Sequence, residues 1–360
     1  MSVRPDPVVI TGLGPVSPIG VGIEELQAAF AGRESAVRPI EGLELPEALA
    51  ADPPLGAQLV DFRLSDYLAS EKTYLDNVSA YLLAACALAK EHAGLAVTPE
   101  TRTRIGGSFG AAYGPLASAH TFNARVAAKG ARLANPLIFG HTYINTAASL
   151  VAIEWGFTGY NCIVSSGLTS GLTAICQAAD AIRLDHADAV LCGGSDAISA
   201  PLVAGLAAEG RLADGHGGLL VGEGAGVIVL ESGVAAAARG AAVLGTLLGY
   251  ATATGQTPGA GLRAAHGRAL VAAGIDAADA SLVVSCANGI AAIDSAAAAL
   301  CDCEYRHAEV IAPKALQGET FAAAAGIDVA LALLRLGPGE RAVVLSADWQ
   351  GGAGVLVVSR

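Results

Sequence analysis

The chain repeats one α/β unit, and the repeat constrains its fold more than any other feature. Ala181-Ile182-Arg183-Leu184 leads through a short loop to Ala189-Val190-Leu191-Cys192, and Ala225-Gly226-Val227-Ile228-Val229-Leu230-Glu231-Ser232 follows later. The same order returns as Leu334-Arg335-Leu336, then Ala342-Val343-Val344-Leu345-Ser346, then Ala353-Gly354-Val355-Leu356-Val357-Val358-Ser359-Arg360. Helix, strand, loop and strand recur in register. Two copies of such a unit pack as one pseudo-symmetric body of layered helices and sheets. They join near residues 233–240, so the chain divides into a half over 1–235 and a half over 236–360 within one compact body.

Other segments fit an α/β reading. Val8-Val9-Ile10-Thr11-Gly12 reads as a strand running into a glycine turn. Tyr81 to Lys90 reads as a helix, apolar almost all round and therefore buried. Residues 104–108, 161–165, 188–194, 226–230 and 282–287 read as strands buried on both faces, with continuous apolar runs and no polar alternation. With 53% hydrophobic residues among 360, there is ample material for a large core.

Charge and cysteine usage narrow the function. A net charge of −12 argues against nucleic-acid binding, which needs a basic footprint. No signal peptide is legible at Met1 to Pro7, and apolar runs are interrupted well short of a membrane span, so a cytoplasmic protein without membrane contact is expected. The seven cysteines sit mostly in apolar context. Cys301-Asp302-Cys303 lacks zinc spacing, and His141, His216 and His307 match no metal pattern, so no metal is expected.

Four strings in order carry a family resemblance: Val9 to Gly20 (VITGLGPVSPIG), Ala187 to Ala197 (ADAVLCGGSDA), Val221 to Val227 (VGEGAGV), and Pro313-Lys314 with Gly326-Ile327-Asp328. Together with the duplication they make the chain resemble the β-ketoacyl synthases, condensing enzymes of fatty acid and polyketide assembly. The resemblance implies a thiolase-like duplicated α/β fold layered α-β-α-β-α.

It also implies three reactive side chains. In the family a cysteine at a helix N-terminus takes the acyl chain, its thiolate favoured by the helix dipole. Two histidines then assist decarboxylation of the malonyl unit. Judged by flanking residues, those positions are Leu168 in Ser165 to Leu172, Asn288 after Leu282 to Ala287, and Glu319 in Gly318-Glu319-Thr320. None supplies the family's chemistry. Cys162 and Cys176 are the nearest thiols, and neither falls at a helix N-terminus. The threonines that hold a pantetheine arm are absent, and the gate near the C-terminus reads Trp349-Gln350-Gly351-Gly352. Glu223 keeps the Gly-Glu-Gly turn. Lys314 and Asp328 stand where the family keeps a buried pair.

A retained scaffold around a retired site is similar to the chain length factors of type II polyketide synthases. These are ketosynthase-like, non-catalytic subunits. The resemblance implies a heterodimer with a catalytic ketosynthase and an acyl tunnel shaped at the interface. An acyl carrier protein would dock mainly on the partner, bringing phosphopantetheine with it, and this chain would need no cofactor of its own. Phe109, Ala112, Tyr113 and Leu116 are the expected tunnel wall, and Leu137, Ile138 and Phe139 the expected partner interface. Trimmed loops before Gly222 and after Asn288 lean toward a reduced, polyene-type product. The alternatives are a self-sufficient thiolase-type acyltransferase using residues such as Asn288 and Glu319, or a purely structural partner.

Overall fold

The computed structural model describes residues 6–70, 72–213 and 217–360; His216 lies outside them. Strands β1 (Val8–Ser17), β2 (Ile105–Gly110), β3 (Asn161–Val164), β4 (Ala189–Asp196) and β5 (Gly224–Ser232) form one half of a continuous sheet. Strands β6 (Gly245–Thr254), β7 (Leu282–Val284), β8 (Glu309–Ile311), β9 (Arg341–Ala347) and β10 (Gly352–Ser359) form the other. From the centre outward the first half runs β1-β5-β4-β2-β3 and the second β6-β10-β9-β7-β8. Each strand of the first half thus has its counterpart five strands later. The pairings match as well, with two antiparallel steps followed by two parallel ones in each half. The halves meet where β1 pairs with β6, Val9 opposite Thr246 and Ile10 opposite Gly245.

Helices fill the remaining layers. α1 (Asn77–His92) covers the first half, α2 (Leu116–Lys129) has no buried residue, and α3 (Thr146–Trp155) packs beside α1. α4 (Ser170–Arg183) shares the central core with a later helix, while α5 (Pro258–Ala273) and α6 (Ala291–Glu304) cover the second half. That later helix is α7 (Ala324–Arg335). Three apolar cores result. The middle one joins α4 and α7 to inner faces of both sheet halves, through residues such as Ile175, Ile182, Ile327, Ile228 and Leu356. The outer ones lie under α1 and α3, and under α5 and α6. The order is α-β-α-β-α.

Local sequence explains the helix limits. Asp76 accepts a hydrogen bond from the Val78 N–H at the start of α1, and Thr257 accepts one from Ala260 at the start of α5. Pro258 occupies the first turn of α5, where its missing N–H costs nothing, and Gly274 closes that helix in the left-handed conformation.

The expected glycine turn after Ile10 is absent. β1 runs on to Ser17 through a register shift between Ile10 and Gly12. The glycines are there for proximity: a Cβ at Gly12 would lie 2.3 Å from the Ala89 carbonyl oxygen, and one at Gly14 would lie 2.0 Å from that of Ala85. Only a strand without side chains at these positions lets α1 settle so close.

Candidate functional site

Leu168 sits in the loop that enters α4, two residues before Ser170. The loop is cross-tied by its own hydroxyls. Ser170 Oγ accepts from the Ser166 N–H and donates to the Gly167 carbonyl, and Thr169 Oγ1 donates to the Ser166 carbonyl. Gly167 takes a left-handed φ of 63°. These ties aim Leu168 into the core under α5 and α6, in one apolar cluster with Leu202, Val203 and Phe321, at 4% exposure. At a helix N-terminus, where a thiolate would be favoured, the chain presents a buried aliphatic side chain.

The nearby thiols lie elsewhere. Cys162 is on β3, with its sulfur 2.8 Å from Gln177 Oε1. Cys176 is buried inside α4, and burial pushes its pKa up, with the Asp180 charge adding to the effect. A buried neutral thiol inside a helix is a poor nucleophile.

Asn288 and Glu319 are brought together. Asn288 Nδ2 donates to Glu319 Oε2 at 2.8 Å, and Lys314 Nζ donates to the same oxygen at 2.8 Å. The other oxygen accepts from the Phe321 N–H at 3.0 Å. Phe321 and Leu168 belong to the same apolar cluster, which links the Glu319 segment to the core that Leu168 enters. Both oxygens of Glu319 are engaged, and the residue is 1% exposed.

The expected Lys314–Asp328 pair is corrected here. The ion pair of Lys314 is with Glu319, while Asp328 is buried with no hydrogen-bond partner on Oδ1. Glu319 lies five residues along the same short connection and reaches the ammonium first. Asp328 still feels the charge. Burial raises its pKa to about 7, with Lys314 pulling it down and Glu319 pushing it up. For Lys314, burial pulls the pKa down, but the two carboxylates outweigh it and leave the ammonium above its ordinary range.

The wall segment divides between both sides of the sheet. Phe109 is fully buried in the outer core with Tyr81, Leu82 and Val151. It shares that strand face with Ile105, as alternation along β2 requires. Phe109 is thereby corrected from a wall residue to a core residue. Beyond the strand the chain turns toward the site. Ala112 and Tyr113 line an open pocket of about 760 Å³ with Ser166, Gly167, Asp348 and Gln350. Tyr113 packs edge-on against Phe321, with centroids 5.2 Å apart. Leu116 faces a second pocket, shared with Ile138, Ile198 and Asn77.

Two carboxylates were not singled out by sequence reasoning. Asp196, at the end of β4, accepts hydrogen bonds from the N–H groups of Ala112, Tyr113, Gly114 and Ala322. Burial raises its pKa to about 6 against those four donors. Asp348 accepts from the Leu168 N–H at 2.9 Å and the Gln350 N–H at 2.7 Å. Each was visible as an acid inside an apolar string, which is the available signal, but neither string says what the acid holds. Above the pocket, the Arg211 guanidinium covers the Trp349 ring at 4.5 Å.

On the flank, Leu137 is 59% exposed, Phe139 is 45% exposed, and Ile138 is half-buried. Phe139 lies against Phe122 and Tyr143. β3 is an edge strand, with β2 as its neighbour. Among the described residues no helix is long and apolar enough to cross a membrane, and no group of three His, Cys, Asp or Glu is arranged to hold a metal ion.

Similar proteins place this geometry. The 3-oxoacyl-[acyl-carrier-protein] synthase 2 of Vibrio harveyi is 30% identical over 259 residues, 68% of this chain and 62% of that protein. The enzyme of the same name from Staphylococcus aureus is 28% identical over 263 residues, with the same coverage. The chain thus matches 62% of the length of these curated relatives. Two solved structures share the fold over nearly the whole chain. The ishigamide ketosynthase/chain length factor has a TM-score of 0.87 at 23% identity, covering 98% of this chain and 99% of the other. A type II polyketide synthase acyl carrier protein in complex with its ketosynthase bound to the hexaketide gives 0.83 at 22% identity, covering 99% and 100%. The model of the β-ketoacyl synthase N-terminal domain matches residues 5–236, and with the duplicated five-layer fold this makes the chain a member of the β-ketoacyl synthase family.

Proposed function

We propose that this chain is a non-catalytic subunit of the chain-length-factor kind, working in a heterodimer with a catalytic ketosynthase. The observation that carries the reading is Leu168, a buried aliphatic residue at the N-terminus of α4, where acyl transfer would need a thiolate. Asn288 and Glu319 fit the same reading. They are bound to each other and to Lys314, and hold a structural ion pair where a proton relay would have to stay free.

The exposed apolar side chains Leu137 and Phe139 and the open β3 edge are surfaces that a second subunit would cover. Ala112, Tyr113 and Leu116 would form this chain's contribution to the tunnel. The carrier protein would dock on the partner, so no cofactor is assigned here. The similarity to a ketosynthase/chain length factor supports this at the level of fold. The trimmed loops before Gly222 and after Asn288 favour a reduced, polyene-type product, and the work of such a complex would be cytoplasmic.

The test is acylation of the purified chain by an electrophilic acyl probe, with the label mapped by peptide mass. Cys303 is exposed and would react non-specifically, so position matters. No label in the Ser166–Ser170 loop is expected, with condensation seen only when a cognate ketosynthase is added. Label in that loop, or turnover by the single chain, would instead establish a self-sufficient acyltransferase.

A further inference from the structure

Two backbone N–H groups, one from the remote Leu168 and one from Gln350 two residues beyond the acid, bind the two oxygens of one carboxylate. Leu168 N–H reaches Asp348 Oδ2 at 2.9 Å, and Gln350 N–H reaches Asp348 Oδ1 at 2.7 Å. Asp348 is 6% exposed. Among the described residues no ion pair neutralises it. The two donors and the N-terminus of the 14-residue helix α4 compensate its charge instead.

The loop is built around this carboxylate. A Cβ on Gly167 would lie 2.2 Å from Asp348 Oδ2, and that glycine has a left-handed φ of 63°. Only glycine lets the backbone wrap so closely. Two fixed N–H donors beside a helix N-terminus, one on each carboxylate oxygen, form a preorganised cradle for an anion, the class of device that acyl-transfer sites turn on a developing oxyanion. Here the anion belongs to the chain itself.

We propose that the anion hole of the retired acyl site persists and that Asp348 is its built-in occupant, closing it to any external carboxylate or thioester oxygen. The inference rests on reading Leu168 as the degenerate acyl position. It adds that acyl chemistry is blocked twice, by an aliphatic side chain where the nucleophile would stand and by a carboxylate where the oxyanion would form. Restoring one without the other leaves the site closed.

Chemical rescue tests it on the full-length chain. Asp348→Ala empties the hole and lowers the melting temperature. Sodium acetate should recover at least about half of that loss in a saturable way, while sodium chloride at equal ionic strength and acetamide should not. The wild type should show no acetate-specific shift. An Asp348→Ala protein that gains no more from acetate than from chloride would overturn the proposal.

If that variant does not fold, the isosteric Asp348→Asn serves in a second measurement. The thiol introduced by Leu168→Cys is alkylated with iodoacetamide with and without Asp348→Asn. Removing the carboxylate charge should speed alkylation about tenfold, because the thiolate is the reacting form. Equal rates would also overturn the proposal. Neither readout depends on acylation of the wild-type chain, so failure of the non-catalytic reading would show separately.

Discussion

Glu319 and Lys314 are locked together at 2.8 Å, with side chains 0% and 3% exposed. Asn288 adds a second donor to the same carboxylate oxygen. Removing one partner of such a pair leaves a bare charge in the core. Glu319→Ala is therefore expected to destabilise the chain by about 3–5 kcal/mol in urea denaturation. A loss below about 1 kcal/mol would show that the pair is dispensable.

Asp328 sets a pH dependence. Burial raises its folded pKa to about 7, partly opposed by Lys314 and reinforced by Glu319. Unfolded, it would titrate near an ordinary 3.9. The folded chain therefore holds a proton across that window which the unfolded chain releases. Stability from this group is full at the acid end and is lost as pH rises through 7. Asp196, at about 6, and Glu223, raised to about 7 chiefly by burial, act in the same direction. Melting curves from pH 5 to 8 should show a shallower decline for Asp328→Asn than for the wild type. An unchanged slope would assign the dependence to other groups.

Asp196 holds the segment that carries Ala112 and Tyr113. Asp196→Ala leaves four N–H groups without their acceptor, each costing about 1–3 kcal/mol when buried. Such losses are not additive, and a total drop of at least about 3 kcal/mol is expected, together with weaker near-ultraviolet dichroism as Tyr113 loosens from Phe321. Full retention of the aromatic signal would show that the wall segment stands without this anchor.

Wall and core make opposite predictions for two neighbouring aromatics. In a complex with a cognate ketosynthase, Tyr113→Ala or Leu116→Ala should lengthen the products measured by mass. Phe109→Leu should lower the melting temperature and leave product length alone, because Phe109 faces the outer core. Unchanged length in both wall variants would favour a purely structural partner.

Leu137 and Phe139 give a test of the interface. The double substitution Leu137→Asp/Phe139→Asp should abolish co-purification with a tagged ketosynthase. The chain alone should remain folded with a loss of about 1–3 kcal/mol, because Phe139 gives up its contacts with Phe122 and Tyr143. Co-purification at wild-type yield would place the partner elsewhere.

Much of the architecture was legible in the chain's own pattern. The repeated helix–strand–loop–strand order predicted the duplication, and unbroken apolar runs predicted strands covered on both faces, because burial selects composition locally; residues 161–165 are the exception, a partly exposed strand at the sheet edge. That Leu168 stands just before a helix was legible too, from the apolar run that follows it. What each polar group holds was decided only by the tertiary structure. Lys314 reaches Glu319 and not Asp328, and Phe109 faces away from the pocket while Tyr113 faces into it. Asp348 meets Leu168 across 180 positions of sequence. Hydrogen bonds and ion pairs depend on ångström distances between remote segments, and no periodicity in the sequence encodes those distances.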